Sequence, residues 1–538
     1  VGLRFDDQEW AWAEVVSAAA ERAAVLSELV GDGERERPVH IGVLLENVPD
    51  YLFWTCAAAL TGSVVVGINH TRRGAELAHD IRHTDCDVIL TEDRLVGLLD
   101  GVDHGVERVL NIDSPDYQEL LARHRGAPLP TTDPDPGAIL LLLFSSGSTG
   151  HPKAVICSQG RLAMLAETLG ARTEMTRESV TYLCMPLFHG NSMMLNFAPA
   201  MKAGATICMA RKFSASGFVR DLHRHRFTYV NYVGRALSYI LAVPETPADR
   251  TSSLRLAVGT EASVADIEAF SARFGCRVSE GYGQSEGVLR INRTPDTPPD
   301  SLGLPVGDVD VRVMNEETGQ ECPRARFDEH GRLLNPDEAI GQIVAVGRAK
   351  NFEGYYKNPE AYAQRVRGED FWTGDLAYRD EAGYFYFAGR SSDWLRVDSE
   401  NFSAAPVERI IERWEPVAVA LVYAVPDPRT GDQVMCTLEM VEGAEFDPDA
   451  FTRFLDAQPD LGTKWRPRFV RVVDRVPTTG NNKVAKTVLR RTAWATDDPV
   501  YFRVGSETTY RPFDAELRKA YEQEFSVHGR AGLIPTQG

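Results

Sequence analysis

The sequence predicts an α/β protein. Its expected plan is a large N-terminal domain of wound, mostly parallel sheets with a small β-barrel-like part, then a small, mobile α+β C-terminal domain. Three observations predict it. Apolar runs of strand length alternate with helical patterns near the N-terminus. After Gly341 the pattern changes to short strands. A polar stretch, Gly389-Arg-Ser-Ser-Asp393, then separates those strands from a last block of helix and strand signals. At 538 residues the chain can bury a large core and divides into at least two domains. The expected division is 1–390 and 393–538, with a hinge near Ser392.

Taken in order, residues 7–30 read as a helix, 39–45 as a strand and 51–60 as a helix. Residues 63–67 read as a strand, 75–83 as a helix and 87–90 as a strand. Strands alternating with helices imply parallel pairing through right-handed crossovers. A Pro- and Asp-rich turn at 133–137 introduces the apolar run 138–144, which has the length and flanks of a buried strand. Residues 294–301 are a loop. Strands follow at 341–346 and 384–387, then a helix at 405–414 and strands at 417–425 and 469–473.

The net charge of −19 argues against nucleic acid or an anionic membrane surface as the main partner. Eight scattered cysteines with no C-x-x-C pair give no zinc or disulfide framework, so reduced thiols in a cytoplasmic setting are expected. The first sixteen residues carry no signal-peptide apolar stretch. No apolar run approaches the roughly 18 residues needed to cross a bilayer.

Chemistry enters with Phe144-Ser-Ser-Gly-Ser-Thr-Gly-His-Pro-Lys-Ala-Val155. A strand ending in Ser145, Ser146, Gly147, Ser148, Thr149 and Gly150 offers backbone amides and hydroxyls, and Lys153 adds a cation. Glycine lets the backbone approach polyphosphate oxygens, and successive amides make an anion nest. The spacing is not that of the Walker loop. A Ser/Gly linker is the plain alternative, but the buried strand before the tract and the lysine after it oppose that. The second signal is Gly281-Tyr-Gly-Gln-Ser-Glu286. Its glycines permit a tight turn, Tyr282 offers a face to a purine, and Glu286 suits Mg²⁺. The next glycine is Gly287, so a dinucleotide fingerprint fails.

Together these tracts resemble the adenylate-forming enzymes: acyl-CoA synthetases, amino-acid adenylation domains and luciferases. Further motifs follow in that family's order: Gly341-Gln-Ile-Val344, Gly354-Tyr-Tyr-Lys-Asn-Pro-Glu360, Thr373-Gly-Asp-Leu376, Gly389-Arg390 and Pro477-Thr-Thr-Gly-Asn-Asn-Lys483. The resemblance is greatest to very-long-chain acyl-CoA synthetases and fatty-acid transport proteins. It rests there on 232–235 with 239–240, on 256–259 with 270–275, on 393–401, and on the tail 501–512. That branch's membrane-spanning N-terminal segment has no counterpart here, so transport is not implied.

The resemblance implies an ATP-dependent acyl-CoA ligase using ATP, Mg²⁺ and coenzyme A on a bulky or long apolar acid. It implies Lys483 as the catalytic lysine, Glu286 with Thr149 at the metal, and His189 as a gate to the acyl pocket. The nucleotide would meet Ser145–Gly150, Lys153, Gly259, Thr260, Glu261, Gly281, Tyr282, Gly283, Gln284, Ser285, Asp375, Phe387 and Arg390. Arg396, Ser399, Glu400 and Asn401 fall on the CoA side. Phe188, Gly190, Asn191, Val233 and Gly234 fall at the acyl pocket. Taken singly, Asp375 reads as a turn carboxylate and Arg390 or Lys483 as solvated charges; their joint order gives them their roles.

Two departures stand out. Ser399 replaces a glycine that would let the pantetheine arm pass, and Asn481-Asn482 replace Ser-Gly before Lys483. Three alternatives stay open: a ligase performing one half-reaction beside a second ligase, a nucleotide-binding pseudoenzyme, and acyl transfer to a carrier protein.

Overall fold

The structure is a computed structural model. It describes the chain except residues 32–34, 132, 134, 146–152, 234–235, 261, 263, 295, 299–300, 330–332, 391–393, 398–399, 429–431, 459–460, 463–464, 479–483, 506, 529 and 537–538. The side chains of 265, 389, 390, 394, 396, 400–403 and 487 are likewise outside the description. The chain divides into two compact units. The first comprises 1–292, 348–369 and 480–483; the second comprises 293–347, 370–479 and 484–538. The expected hinge at Ser392 lies outside the described residues.

The first unit holds two sheets. One runs Arg108–Asn111, Val88–Thr91, His40–Leu44, Val64–Gly67, Ile139–Ser145, Lys153–Ser158. All neighbours are parallel except the last pair. The Ile139–Ser145 strand is the apolar run expected at 138–144. The serine-rich tract joins it to an antiparallel partner, with Ser145 opposite Lys153. The other sheet runs Arg290–Asn292, Arg277–Gly283, Leu256–Gly259, Tyr229–Asn231, Val180–Leu183, Thr206–Met209, Leu3–Phe5, Gln8–Trp10. Its middle is parallel and both ends turn back as hairpins.

The helix expected at 51–60 is Pro49–Thr61. It starts on a proline whose missing N–H is no loss at N1, and it stops at Gly62 with φ of 70°. The 75–83 helix is Gly74–His83. The expected helix from residue 7 is corrected: Leu3–Phe5 and Gln8–Trp10 form a hairpin turning at Asp6 (φ 52°), and the helix is Trp12–Val30. Asp tolerates that left-handed turn, and pairing Leu3–Phe5 against Thr206–Met209 outweighs the helical pattern.

The second unit is richer in antiparallel pairing. Val311–Met314, Gly341–Ala345, Asp370–Arg379 and Phe385–Arg390 follow one another in one sheet. Trp394–Val397 pairs with Glu400–Ser403. A further sheet runs Val417–Pro426, Asp432–Met440, Phe469–Val473, Val500–Phe502, Arg511–Pro512. The helix expected at 405–414 is Ala404–Ile411. Val407 and Ile411 pack with Ala420, Val422, Leu438 and Phe451 in the core on one side of that sheet.

Candidate active site

Lys153 opens the edge strand of the first sheet and is 4% exposed, Glu286 5%. What brings them together is a strap, residues 353–356, laid along the Lys153–Ser158 strand. Ile156 N donates to Gly354 O at 3.1 Å and Tyr356 N to Ala154 O at 2.8 Å. Glu353 fixes one end by accepting from Ser158 N at 2.8 Å and Ser158 Oγ at 2.5 Å. The strap carries Tyr355, whose hydroxyl donates to Glu286 Oε1 at 2.5 Å and accepts from Arg365 Nε at 3.3 Å. Lys153 Nζ lies 5.4 Å from the Tyr355 ring centre and 3.5 Å from Gln364 Oε1. Burial, then the charge of Arg365, pull the Lys153 pKa down, while Glu286 pushes it up. Burial and Glu286 raise the Tyr355 phenol above its ordinary range, so it stays protonated. The cluster thus gathers Lys153 and Arg365 about Glu286 and Tyr355 in a chain that is acidic overall.

The turn carrying Glu286 is held from below. Arg161 donates from Nη2 to Ser285 O at 2.5 Å and from Nη1 to Ile156 O at 2.8 Å. Gly287 has φ of 64°, and a Cβ there would collide with Arg161 Nη2. That position needs glycine both for its backbone and for the arginine beneath it. Gly281, Tyr282 and Gly283 pair with Asn292, Ile291 and Arg290. Gly259 ends the neighbouring strand; a Cβ on it would come within 2.6 Å of the Tyr232 ring and carbonyl. Tyr232 in turn donates to Glu280 Oε1 at 2.8 Å, and Ala262 N donates to the same oxygen at 2.9 Å, just after Thr260. Gly259 and Gly281–Gly283 therefore lie towards the carboxyl ends of parallel strands, where open α/β sheets bind ligands.

His189 is half-buried, with its ring 4.3 Å from that of Phe188. Phe188 meets His70 edge-on at 5.0 Å. Gly67 lets Phe188 approach, since a Cβ there would be 3.0 Å from its Cα. Gly190 begins a helical segment that passes into a π-turn at Met193–Phe197. Asn191 Oδ1 accepts from Asn231 Nδ2 at 2.5 Å, and Asn196 Nδ2 donates to Asn231 Oδ1 at 2.7 Å. Val233 packs into the core with Tyr182 and Phe218.

In the second unit Asp375 is 6% exposed, on the Asp370–Arg379 strand opposite Arg390. Thr373 Oγ1 accepts from Asp375 N at 3.2 Å and donates to Ile343 O at 2.8 Å; Gln342 Oε1 accepts from Gly374 N at 3.1 Å. Phe387 lies opposite Ala377. The Thr373-Gly-Asp motif is thereby a fixed bend on a buried strand rather than a surface turn.

Ser146–Gly150, Gly234, Glu261, Ser399 and Lys483 lie outside the described residues, as do the side chains of Arg390, Arg396, Glu400 and Asn401. Sequence reasoning missed the parts of Tyr355, Arg365 and Arg161. Tyr355 stands inside the 354–360 motif, which by itself marks only a turn; Arg161 and Arg365 carry no signal. A buried carboxylate oxygen beside a lysine suits a hard cation that keeps waters and substrate phosphates as its other ligands. Among the described residues no group of three or more His, Cys, Asp or Glu is placed to hold a metal ion.

A wound sheet with a buried lysine and carboxylate beside glycine-lined strand ends defines a nucleotide-dependent α/β enzyme. An AMP-binding enzyme model matches residues 1–356 and an AMP-binding enzyme C-terminal domain model matches 406–483, and the chain belongs to that family. It is an AMP-forming acyl-CoA ligase, which uses ATP, Mg²⁺ and CoA. A steroid-22-oyl-CoA synthetase of Rhodococcus jostii is 50% identical over 99% of this chain and 96% of that protein. A medium/long-chain-fatty-acid–CoA ligase of Mycobacterium marinum is 41% identical over 93% of this chain and 95% of its own length. In fold the chain is like the crystal structure of an anthranilate CoA ligase in complex with anthranoyl-AMP. There the TM-score is 0.80 at 21% identity, over 92% of this chain and 94% of that one. Among the described residues no helix is long and apolar enough to cross a membrane.

Proposed function

We propose that the bulky apolar acid taken by this ligase is a steroid, activated at its side-chain carboxylate. The observation that carries this is the 50% identity, end to end, to a steroid-22-oyl-CoA synthetase. The segment after His189 supports it: it holds no side-chain carboxylate between Phe188 and Phe197 that could grip an ammonium group.

A carboxylate resists nucleophiles because of its charge and its poor leaving group. Its oxygen therefore attacks the α-phosphorus of ATP, pyrophosphate departs, and the acyl-adenylate remains. The CoA thiol then attacks the acyl carbon and AMP leaves. In this reading Lys153 and the 145–150 amides hold the polyphosphate, and Lys483 meets charge developing on the α-phosphate. Asp375 and Arg390 bind the ribose, with Phe387 nearby, and Tyr282 stacks on the purine. Mg²⁺, held by Glu286 and Thr149, would neutralise phosphate charge when bound. Removing one such pre-placed donor costs ~10²–10³ in rate. His189, beside Phe188 and Asn191, gates the acid. The stretch near Ser392 acts as a hinge that withdraws Lys483 and brings Arg396–Asn401 to the thiol. Cytoplasmic operation belongs to this reading, and eight cysteines without a disulfide support it.

The test is a panel of steroid side-chain acids and linear fatty acids with ATP, Mg²⁺ and CoA, scored by mass for adenylate and thioester. The expected result is a higher kcat/KM for steroid acids. Preference for linear acids, for a carrier-protein thiol, or ATP binding without product would overturn it.

A further inference from the structure

One face of the second sheet of the first unit carries an arrangement that the adenylation chemistry does not use. Residues opposite one another in neighbouring strands point to the same side. Asn231 pairs with Val258, Val258 with Ser279, Gly281 with Asn292 and Gly283 with Arg290. Arg290 and Asn292 therefore share a face with Asn231, the partner of Asn191. The same face holds Tyr229, whose hydroxyl donates to Leu195 O at 2.5 Å in the π-turn after His189. Tyr229, Leu256 and Val258 pack there with Leu195 and Met175.

Into this apolar surrounding project two half-buried arginines. Arg172, the last residue of the Gln159–Arg172 helix, donates to the Asn292 side-chain oxygen from Nη2 at 2.7 Å and Nη1 at 2.8 Å in the amide orientation that satisfies both groups. Arg290 extends over the bare Gly283, which leaves its Cγ 3.9 Å from where a Cβ would be. The two guanidinium groups and Tyr229 lie within electrostatic reach of one another, and among the described residues no acidic side chain acts on either arginine. Burial, then the charge of Arg172, press the Arg290 pKa down to about 10, and burial does the same in direction to Arg172. The Tyr229 phenol is held neutral by its burial and cannot answer that charge. Two like charges withdrawn from water without an anion to balance them are costly. Besides Asn292, Tyr229 and Arg277 act on Arg172, and they are the first residues of their strands. Arg290 and Asn292 lie opposite Gly283 and Gly281, so the pair is placed by the face it shares with Asn231 and the segment after His189, not by distance from the nucleotide glycines.

We propose that Arg172 and Arg290 form a subsite for an oxygen of the acid substrate other than those of its reacting carboxyl: a ring carbonyl, hydroxyl or second carboxylate. Arg290 donates to it, and Arg172, set by Asn292, completes the fork. This rests on the steroid-acid reading, because a fused ring system is rigid enough to hold an oxygen at a fixed distance from its side chain. It makes these arginines determinants of specificity rather than of catalysis. A site built to hydrogen-bond one group discriminates strongly against the analogue lacking it.

The experiment compares wild type, Arg290→Met, Arg290→Lys and Arg172→Met on matched steroid side-chain acids with a ring ketone, hydroxyl or carboxylate, and on the ring-deoxy acid. The expected result for Arg290→Met is a kcat/KM loss of ~10–100-fold on the acid bearing the preferred oxygen, a change under about 3-fold on the deoxy acid, and an unchanged KM for ATP. Arg290→Lys keeps charge without the fork and falls between. Which oxygenated acid shows the selective loss identifies the oxygen. Equal losses on all acids, a raised KM for ATP, or no loss on any oxygenated acid overturns the subsite. The lysine variant keeps the test decisive should the methionine variant fail to fold. If wild type takes no steroid acid, the steroid reading has failed; if it takes all of them and the variants do not discriminate, only the subsite has.

Discussion

The Tyr355 hydroxyl donates to Glu286 and accepts from Arg365, so it sets the direction of a buried carboxylate that would otherwise choose between two cations. Tyr355→Phe keeps the ring over which Lys153 lies and removes only the donor. Leaving a buried charged acceptor short of one partner costs about 1–3 kcal/mol. The expected outcome is a ~10–100-fold fall in kcat/KM for ATP with a small loss in thermal midpoint, read from initial rates and calorimetry; unaltered rates would take Tyr355 out of the site. Lys153 carries a second prediction. Its folded pKa is below the ordinary 10.5, by burial first and Arg365 second. The folded protein sheds this proton before the unfolded chain does, so charged Lys153 costs stability at neutral pH. That cost recedes as pH rises through the folded value towards 10.5. Lys153→Met should therefore lose adenylation by ~10²–10³ while raising the thermal midpoint of the unliganded enzyme at pH 7. The margin over wild type should narrow in calorimetry at higher pH.

Helices in the first unit are tied by buried polar groups as well as by cores. Asp249, fully buried, accepts from Thr246 Oγ1 at 2.8 Å, binds His223 Nε2 at 2.9 Å and accepts from Arg273 Nε at 2.8 Å. It links the Ala215–His225 and Val264–Phe274 helices. Burial works to raise its pKa, but Thr246, His223 and Arg273 together hold it at about 2. Its contribution to stability is present above the ordinary 3.8 and is lost as pH falls through about 2. Asp249→Asn strands Arg273 in the core and should cost ~3–5 kcal/mol at neutral pH. Denaturation curves of wild type and variant should converge below about pH 2; parallel curves throughout would contradict the latch. The same scale shows what a sequence reader can see. Strands such as His40–Leu44 and helices such as Pro49–Thr61 were legible because burial on both faces, or a proline at N1, leaves a local mark. The Leu3–Phe5 strand was not, because three residues paired with Thr206–Met209 carry no pattern of their own. At the candidate site, Lys153 and Glu286 stood out through their glycine-rich surroundings. Tyr355, 69 residues from Glu286, joins it only through the strap on the edge strand.

At the scale of the whole chain, the proposed reaction demands two unlike environments. Adenylation needs cations at the α-phosphate, whereas the thiol step needs those groups withdrawn and a passage for pantetheine. The residues proposed to exchange between the two steps both follow the stretch near Ser392, Lys483 for adenylation and Ser399 for the thiol step, whereas Lys153, Glu286 and Asp375 precede it. If the small domain alternates, its lysine serves only the first step. Lys483→Ala should then lose pyrophosphate release from acid and ATP by ~10³, yet make thioester from supplied acyl-adenylate and CoA at close to the wild-type rate. Ser399→Gly bears on the second step alone. Where a hydroxymethyl group narrows the pantetheine passage, its removal speeds thioester formation from supplied adenylate and leaves adenylation unchanged. Single-turnover measurements of each step in both variants separate the outcomes. A Lys483→Ala variant that loses both steps alike would show that one fixed arrangement serves the whole reaction, and the hinge near Ser392 would then have no mechanistic part.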